Sequence, residues 1–240
     1  MTAFQVPRQY AICQHAHTCV ASGHIVFLDL QRDKYLCLDL EATAALLPYL
    51  HGRTFVIGDP LPGCSSAAGV SQTLTELEQR NLIALVPLGQ AASGVEQIAG
   101  PTRFISAPAG DEYHCTAAGA CKVFLAVTRS AVTLRCRTLA KNVARVTQRR
   151  KSAVGSVVAV GLETLVQRFA SCRSRFVSTD ACLFHSFALL DFLALHGLYP
   201  KLVFGVSMRP FHAHCWVQHE DVVVGDTLER VSQFTPIMVA

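Results

Sequence analysis

Asp180-Ala-Cys182-Leu-Phe-His-Ser-Phe-Ala-Leu-Leu-Asp-Phe-Leu-Ala-Leu-His-Gly197 decides how the second half of this 240-residue chain is organised. Apolar residues occupy nearly every face of the segment and a glycine ends it, which predicts a buried helix. Asp180 or Ser178 can cap this helix. Cys182 would then lie at the helix N-terminus, where the helix dipole and free N–H groups favour a thiolate. The stretch indicates a reactive cysteine or a buried structural one.

The segments after this helix predict an antiparallel meander packed on it. They span residues 202–206, 211–219 and 222–224. His212 and His214 share one face of the second strand, so either imidazole could act as a general base for the thiol. Asp221 or Asp226 could hold the second ring nitrogen, the third role of a catalytic triad. Spacing alone leaves both histidines and both carboxylates open.

The first half of the chain predicts a separate small sheet with helices. Two apolar runs, Ile25–Leu28 and Tyr35–Leu38, flank a polar turn and indicate a hairpin. A strand within residues 11–20 would make this sheet three-stranded. Helices are predicted over residues 40–50 and 71–80.

A shift in composition to Gly, Ala, Ser and Pro after residue 89 marks a boundary between two domains. The sequence therefore predicts an α+β chain with an N-terminal domain, a linker and a C-terminal domain. Their predicted ranges are 1–88, 89–112 and 113–240.

The composition excludes several classes of protein. Apolar residues make up 51% of the chain, enough for buried cores, and the net charge of +4 is too weak to imply nucleic acid. The ten cysteines are scattered without a CxxC pair, which favours mostly buried free thiols in a reducing compartment. No signal peptide and no transmembrane segment is recognised, so we expect a cytoplasmic protein. Without a glycine-rich phosphate loop, no ATP site and no cofactor are expected.

Two further clusters, one of Cys and His and one of basic residues, have simple structural interpretations. Cys13, His15, His17 and Cys19 alternate along one extended segment, where the outer two would lie roughly 20 Å apart. One tetrahedral metal site could not use all four, so we expect polar edge-strand residues and no metal.

The segment 113–162 lacks Asp and Glu. Its basic residues recur on one helical face, which predicts a solvated face or a docking surface for a partner or an acidic leader. These residues are Arg137, Lys141, Arg145 and Arg149.

Three motifs in the C-terminal half resemble the lasso-peptide leader peptidases, the B proteins of lasso-peptide biosynthesis in the transglutaminase-like cysteine protease superfamily. The motifs are Cys182-Leu-x-x-Ser186, Phe211-x-Ala-His214-x-Trp216-Val and Val223-Val-Gly-Asp226. The resemblance covers roughly residues 120–240 and implies a papain-like helix plus antiparallel sheet. It implies that Cys182 is the nucleophile, His214 the base and Asp226 its orienting carboxylate.

Two positions depart from that family pattern: position 185 is His where Arg is common, and position 215 is Cys where Ala is common. His185 is a rival base, although it lies along the same helix as Cys182. Cys215 should point to the opposite strand face from His214, so we expect it to serve packing only.

The N-terminal half resembles, more loosely, the small PqqD-like domain that recognises leader peptides. The resemblance covers Gly23 to Leu85 and implies that an extended leader adds a strand to the sheet edge beside the helix 71–80. The residues expected to bind the leader are Lys34, Tyr35, Leu36, Cys37 and Leu38 on the strand, with Leu74 and Leu77 on the helix.

Together the resemblances imply a cysteine endopeptidase that binds the leader of a ribosomally synthesised lasso-peptide precursor. It would cleave the leader from the core before an asparagine-synthetase-like, ATP-dependent cyclase forms the macrolactam. A thiol acyltransferase or transglutaminase would use the same triad. A non-enzymatic leader-binding adaptor is the third hypothesis.

Overall fold

A computed structural model of the chain describes residues 8–57, 67–89, 98–106, 116–152, 161–173 and 182–240. These residues divide into two compact units, Met1–Glu96 and Gln97–Ala240. The first unit holds small antiparallel sheets with helices, and the second holds helices and a larger sheet. The prediction of a mixed α+β chain is confirmed.

The first unit contains seven strands and two α-helices within its described residues. They are β1 (Arg8–Ile12), β2 (Ala16–Ala21), β3 (His24–Asp29), β4 (Lys34–Cys37), α1 (Leu40–Leu46), β5 (Leu50–His51), β6 (Thr54–Ile57), α2 (Ala67–Gln79) and β7 (Ile83–Val86). Strands β2, β3 and β4 form the predicted three-stranded sheet, with Leu28 opposite Tyr35 in the hairpin. Strand β4 is at one edge of that sheet.

A second sheet in this unit, with strand order β5-β6-β1-β7, was not predicted. The helix predicted over residues 40–50 ends at Leu46 and continues as a 3₁₀ turn, Leu47–Tyr49. Pro48 explains this ending, because its ring and missing N–H are incompatible with a helix interior. The chain then turns at Gly52, whose φ is 62°, and forms the β5–β6 hairpin.

The predicted metal-ligand pattern does not lie on one strand face. Cys13 precedes β2, which begins only at Ala16, and His15 lies in the turn between β1 and β2. Within the described residues, no three His, Cys, Asp or Glu side chains are grouped so that they could hold a metal ion. Burial raises the pKa of Cys19 to about 12 and is the main cause that lowers the pKa of His17 to about 4.

The second unit contains five helices and five strands within its described residues. They are β8 (Arg103–Ile105), α3 (Ala117–Cys136), α4 (Leu139–Ser152), α5 (Leu162–Arg173), α6 (Cys182–Ala194), β9 (Lys201–Met208), β10 (Phe211–His219), β11 (Val222–Val224), α7 (Leu228–Val231) and β12 (Thr235–Val239). The sheet order is β12-β9-β10-β11-β8. The predicted meander of β9, β10 and β11 is confirmed.

Strand β8 lies inside the segment 89–112, for which the sequence predicts a linker. It pairs in parallel with β11, with Phe104 opposite Val223. Parallel pairing joins segments far apart in sequence, and a three-residue strand carries no periodicity that would reveal it. The predicted linker region therefore contributes an edge strand to the five-stranded sheet of the second unit.

Helix α6 is the buried centre of the second unit, as its composition predicts. Every residue from Ser186 to Leu193 is buried. It packs against α3 and α5 on one side and against β10 on the other. This places the first residue of α6 beside the sheet.

Helix α3 is the one described helix that is long and apolar enough to cross a membrane, with a mean hydropathy of 1.3 in its most apolar window. Core helices of globular proteins have the same length and composition, and α3 packs against α6. Cys172 in α5 is disulfide-bonded, whereas seven other described cysteines are free.

Candidate active site

Cys182 is the first residue of α6 and is half-buried. Its place at the helix N-terminus puts it near backbone N–H groups that have no partner within the helix. The predicted capping residues, Ser178 and Asp180, lie outside the described residues. The helix therefore holds the thiol where a negative charge is stabilised.

His214 lies on β10 and is only 5% exposed. Its Nε2 donates to Asp226 Oδ2 at 2.6 Å. The ring also packs against Phe234 and Trp216, with centroid distances of 5.0 and 6.1 Å. These contacts fix the imidazole in one orientation and leave Nδ1 for another partner.

Asp226 is aimed at His214 by the turn that follows β11. Gly225 has a φ of 76°, a conformation that glycine adopts without steric cost. The second carboxylate oxygen of Asp226 accepts from the backbone N–H of Thr227 at 2.9 Å. Both oxygens of the carboxylate are therefore held.

The structure distinguishes the pairs that spacing left open. His212 is exposed, whereas His214 is buried against Asp226. Asp221 instead pairs with Arg103 at 3.0 Å and accepts a hydrogen bond from Thr102. Among the open candidates, His214 and Asp226 are the two that the fold brings together.

Cys182 and His214 form a coupled pair. Hydrogen bonds from the Cys215 thiol and from His214 lower the pKa of Cys182 to about 4. Burial lowers the pKa of His214, but hydrogen bonds to Asp226 and Cys182 more than offset it and raise that pKa to about 9. Burial likewise raises the pKa of Asp226, yet the hydrogen bond from His214 leaves it below its usual value. At neutral pH the site holds a thiolate, an imidazolium and a carboxylate.

Cys215 takes part in this site, so the expectation that it serves packing only is wrong. Pairing of β10 with β11 begins at Val217, so among the described strands none pairs with Cys215 on that side of β10. The Ser186 hydroxyl donates to the Cys215 carbonyl at 3.2 Å, and both the thiol and the backbone N–H of Cys215 hydrogen-bond to the Cys182 sulfur. The Cys182 sulfur thus lies at an open strand edge, where side chains from either face reach it.

His185, the rival base, lies in the helical layer. Its ring centroid is 5.7 Å from that of Phe169 on α5. The hydrogen bonds that lower the pKa of Cys182 come from β10 instead.

The arrangement combines a thiolate at a helix N-terminus with an imidazole on the adjacent strand and a carboxylate beyond it. Residues 123–239 match the model of the transglutaminase-like superfamily. The chain contains a transglutaminase-like domain. Catalysis in this superfamily generally uses a cysteine. Neither the curated proteins nor the solved structures include a significant match to the chain.

Outside the transglutaminase-like domain, the first unit has a groove of about 370 Å³ between β4, α1 and α2. Four of the residues predicted to bind a leader line it, namely Leu36, Cys37, Leu38 and Leu77. Leu74 does not line it and packs in the core beneath α2. Lys34 and Tyr35 lie at the start of β4, outside the groove lining.

The groove also has an acidic character that the sequence analysis missed. Asp39, Glu41 and Glu76 line it, against a single cation, Arg80. Asp39 and Glu41 lie at the start of α1 and Glu76 lies on α2, so the sequence shows no continuous acidic run. The groove is suited to an extended apolar segment that carries positive charge.

Proposed function

We propose that the transglutaminase-like domain is a cysteine endopeptidase in which Cys182 is the nucleophile, His214 the acid and base, and Asp226 the orienting carboxylate. The observation that carries this proposal is the 2.6 Å hydrogen bond of His214 to Asp226, with the other ring nitrogen left for the Cys182 thiolate. A low pKa of the thiol keeps the nucleophile ionised before substrate arrives.

The reaction follows from these protonation states. The Cys182 thiolate attacks the scissile carbonyl, and the imidazolium of His214 protonates the leaving amine as a thioester forms. Neutral His214 then takes a proton from water, whose oxygen hydrolyses the thioester and releases the new carboxylate. Asp226 keeps the imidazole oriented in both steps. The backbone N–H of Cys182 is suited to donate to the oxyanion.

We propose that the substrate is a ribosomally made lasso-peptide precursor and that the bond cleaved joins its leader to its core. The three sequence motifs support this substrate, and the groove beside the edge strand β4 supports leader capture by strand addition. The free core N-terminus would pass to an asparagine-synthetase-like, ATP-dependent cyclase. The first unit would supply affinity and the second the chemistry.

Incubation of the full-length protein with the precursor peptide encoded beside it, followed by mass spectrometry, tests the reaction. We expect two free peptides, leader and core, and no product from Cys182→Ala. The matched control is Cys121→Ala, which removes an exposed cysteine on α3. Normal cleavage by Cys182→Ala would reject the nucleophile.

The same experiment separates the rival functions. A transglutaminase or acyltransferase would pass the acyl group to an amine, so an isopeptide-linked product would replace the hydrolase proposal. An adaptor would bind the precursor and yield no new product with any variant.

Leader capture has its own test, fluorescence anisotropy of a labelled leader with the full-length protein. Leu36→Glu replaces a half-buried leucine of the groove with a charged side chain and should weaken binding on the order of tenfold or more, because the leader loses an apolar contact. The matched control is Leu85→Glu on β7, where the side chain is 57% exposed. Equal loss in both variants would contradict the assigned groove.

A further inference from the structure

The basic face predicted on α4 is not simply solvated, because two of its arginines meet a buried carboxylate. Asp191 of α6 is 4% exposed. Arg145 Nη1 donates to its two oxygens at 2.9 and 3.1 Å, and Arg149 Nη1 donates at 2.6 Å. Ser130 of α3 adds a hydroxyl donor at 2.9 Å. Asp191 therefore forms ion pairs with two arginines of α4 inside the helical layer.

The cations around Asp191 outnumber it. A pocket of about 740 Å³ opens here, and the charged side chains that line it are Arg129, Arg137, Arg145, Arg149 and Asp191. Four guanidinium groups against one carboxylate leave a formal charge of +3 among the described lining residues. A concave surface with this excess attracts and concentrates anions.

Three of these guanidinium groups retain unused hydrogen-bonding capacity. The guanidinium of Arg137 makes no hydrogen bond or ion pair with other described residues. Arg129 approaches Asp191 only to 4.0 Å. The side chain of Arg145 is only 10% exposed, and its buried Nε has no hydrogen-bond partner in the described part of the chain. A buried donor without a partner is costly, so this atom indicates a ligand that the pocket is built to receive.

The rest of the lining suits an organic molecule. A volume of about 740 Å³ exceeds what an inorganic anion fills and lies in the range of small-molecule sites. Ala194, Leu195 and Tyr199 give an apolar wall, while Gln148 and Ser152 offer polar groups at the side. The pocket therefore combines a cationic floor with a surface for a less polar moiety.

We propose that this pocket binds a small molecule that carries a diphosphate or longer phosphate chain. Guanidinium groups bind phosphate oxygens through paired N–H donors. A phosphate chain balances the excess charge, whereas a single carboxylate would leave most of it unopposed. No glycine-rich loop is needed, because side chains supply the donors.

The proposed site is distinct from the cysteine site. Asp191 follows Cys182 by nine residues on α6, which corresponds to roughly 13 Å along the helix axis. Both sites share that helix, but neither Cys182 nor His214 lines the pocket.

Isothermal titration of the full-length protein with inorganic pyrophosphate tests the site without any peptidase assay. We expect saturable binding that weakens on the order of tenfold in Arg137→Gln, since one charge-assisted contact to phosphate is lost. Arg135→Gln is the matched control, because Arg135 is an exposed cation on the adjoining α3 and does not line the pocket. Unliganded Arg137→Gln should unfold at the wild-type temperature.

Three outcomes would overturn the proposal. The first is no saturable heat with pyrophosphate at millimolar concentration. The second is equal weakening by Arg137→Gln and Arg135→Gln, which would show general attraction to a basic protein. The third is tighter binding of citrate or of an acidic peptide than of pyrophosphate, which would assign the pocket to carboxylates.

Discussion

Asp226→Asn is expected to narrow the pH range over which the thiolate–imidazolium pair exists. The carboxylate accepts the hydrogen bond from His214 at 2.6 Å, and its charge stabilises the imidazolium. Asparagine can keep an oxygen near the ring but carries no charge. The pKa of His214 should therefore fall, and the pKa of Cys182 should rise because its imidazolium partner is less populated.

The size of the effect follows from the pKa of His214, which is raised from 6.5 to about 9. That change corresponds to about 3 kcal/mol in favour of the imidazolium. Asp226 and Cys182 both contribute to it. If the carboxylate supplies about half, its removal lowers the pKa of His214 by roughly one pH unit. The alkaline limit of the thiolate–imidazolium pair should move down by that amount, and the acid midpoint of Cys182 alkylation should move up, because a less populated imidazolium stabilises the thiolate less.

The assay is the rate of alkylation of Cys182 by iodoacetamide as a function of pH, with the modified peptide quantified by mass spectrometry. It needs no precursor peptide and separates Cys182 from the other thiols. Asp221→Asn is the matched control, because that carboxylate lies near in sequence but pairs with Arg103 on the sheet edge. Identical pH profiles for Asp226→Asn and wild type would refute the reasoning.

Three further changes test the packing around the two sites. Cys215→Ala removes the leading cause of the low pKa of Cys182, so the midpoint of alkylation should move to higher pH; an unchanged midpoint would contradict the sulfur–sulfur hydrogen bond. Asp191→Ala leaves the buried guanidinium of Arg145 without its carboxylate and should lower the free energy of unfolding in urea by about 3 kcal/mol. A loss below about 1 kcal/mol would mean that solvent replaces the carboxylate. Gly205→Ala adds a methyl group 2.8 Å from the indole of the neighbouring strand and should cost roughly 1–3 kcal/mol in thermal or urea unfolding, where a neutral result would contradict the tight packing.

Long elements with a clear pattern could be predicted from the sequence. Helix α6 and the strands β9 to β11 follow directly from composition and turn residues. The three-stranded sheet around the β3–β4 hairpin follows from apolar runs about a polar turn. In each case neighbours in sequence supply the partner, so local reasoning is sufficient.

Choices that depend on which side of an element is covered could not be predicted. Alternation places His212 and His214 on the same face, yet only His214 is buried, because Phe234 and Asp226 pack over that end of the strand. Alternation also assigned Cys215 to the other face and hence away from the thiol. A sulfur at the strand edge is reachable from both faces, so the periodicity argument fails there.

Partners distant in sequence were missed for a different reason. Asp191 sits inside an apolar helix, and the arginines that pair with it lie more than forty residues upstream. Nothing local links them, although a lone carboxylate in a buried helix is a signal that a cation must be near. The spacing of basic residues by four along α4 can be read from the sequence. The sequence does not show that this face packs against Asp191 of α6.

Gly205 constrains the order in which this domain could have changed over evolutionary time. It lies opposite His214 in the β9–β10 register, and a side chain there would meet Trp216 at 2.8 Å and Phe234 at 2.9 Å. Those two rings flank the imidazole, so a larger residue at this position displaces one of them unless that ring has first become smaller. If Gly205 were replaced first by a larger residue, Trp216 or Phe234 would be displaced from its contact with His214. The packing therefore predicts an order of substitutions. A larger residue at position 205 should occur in chains that already carry a smaller residue at position 216 or 234.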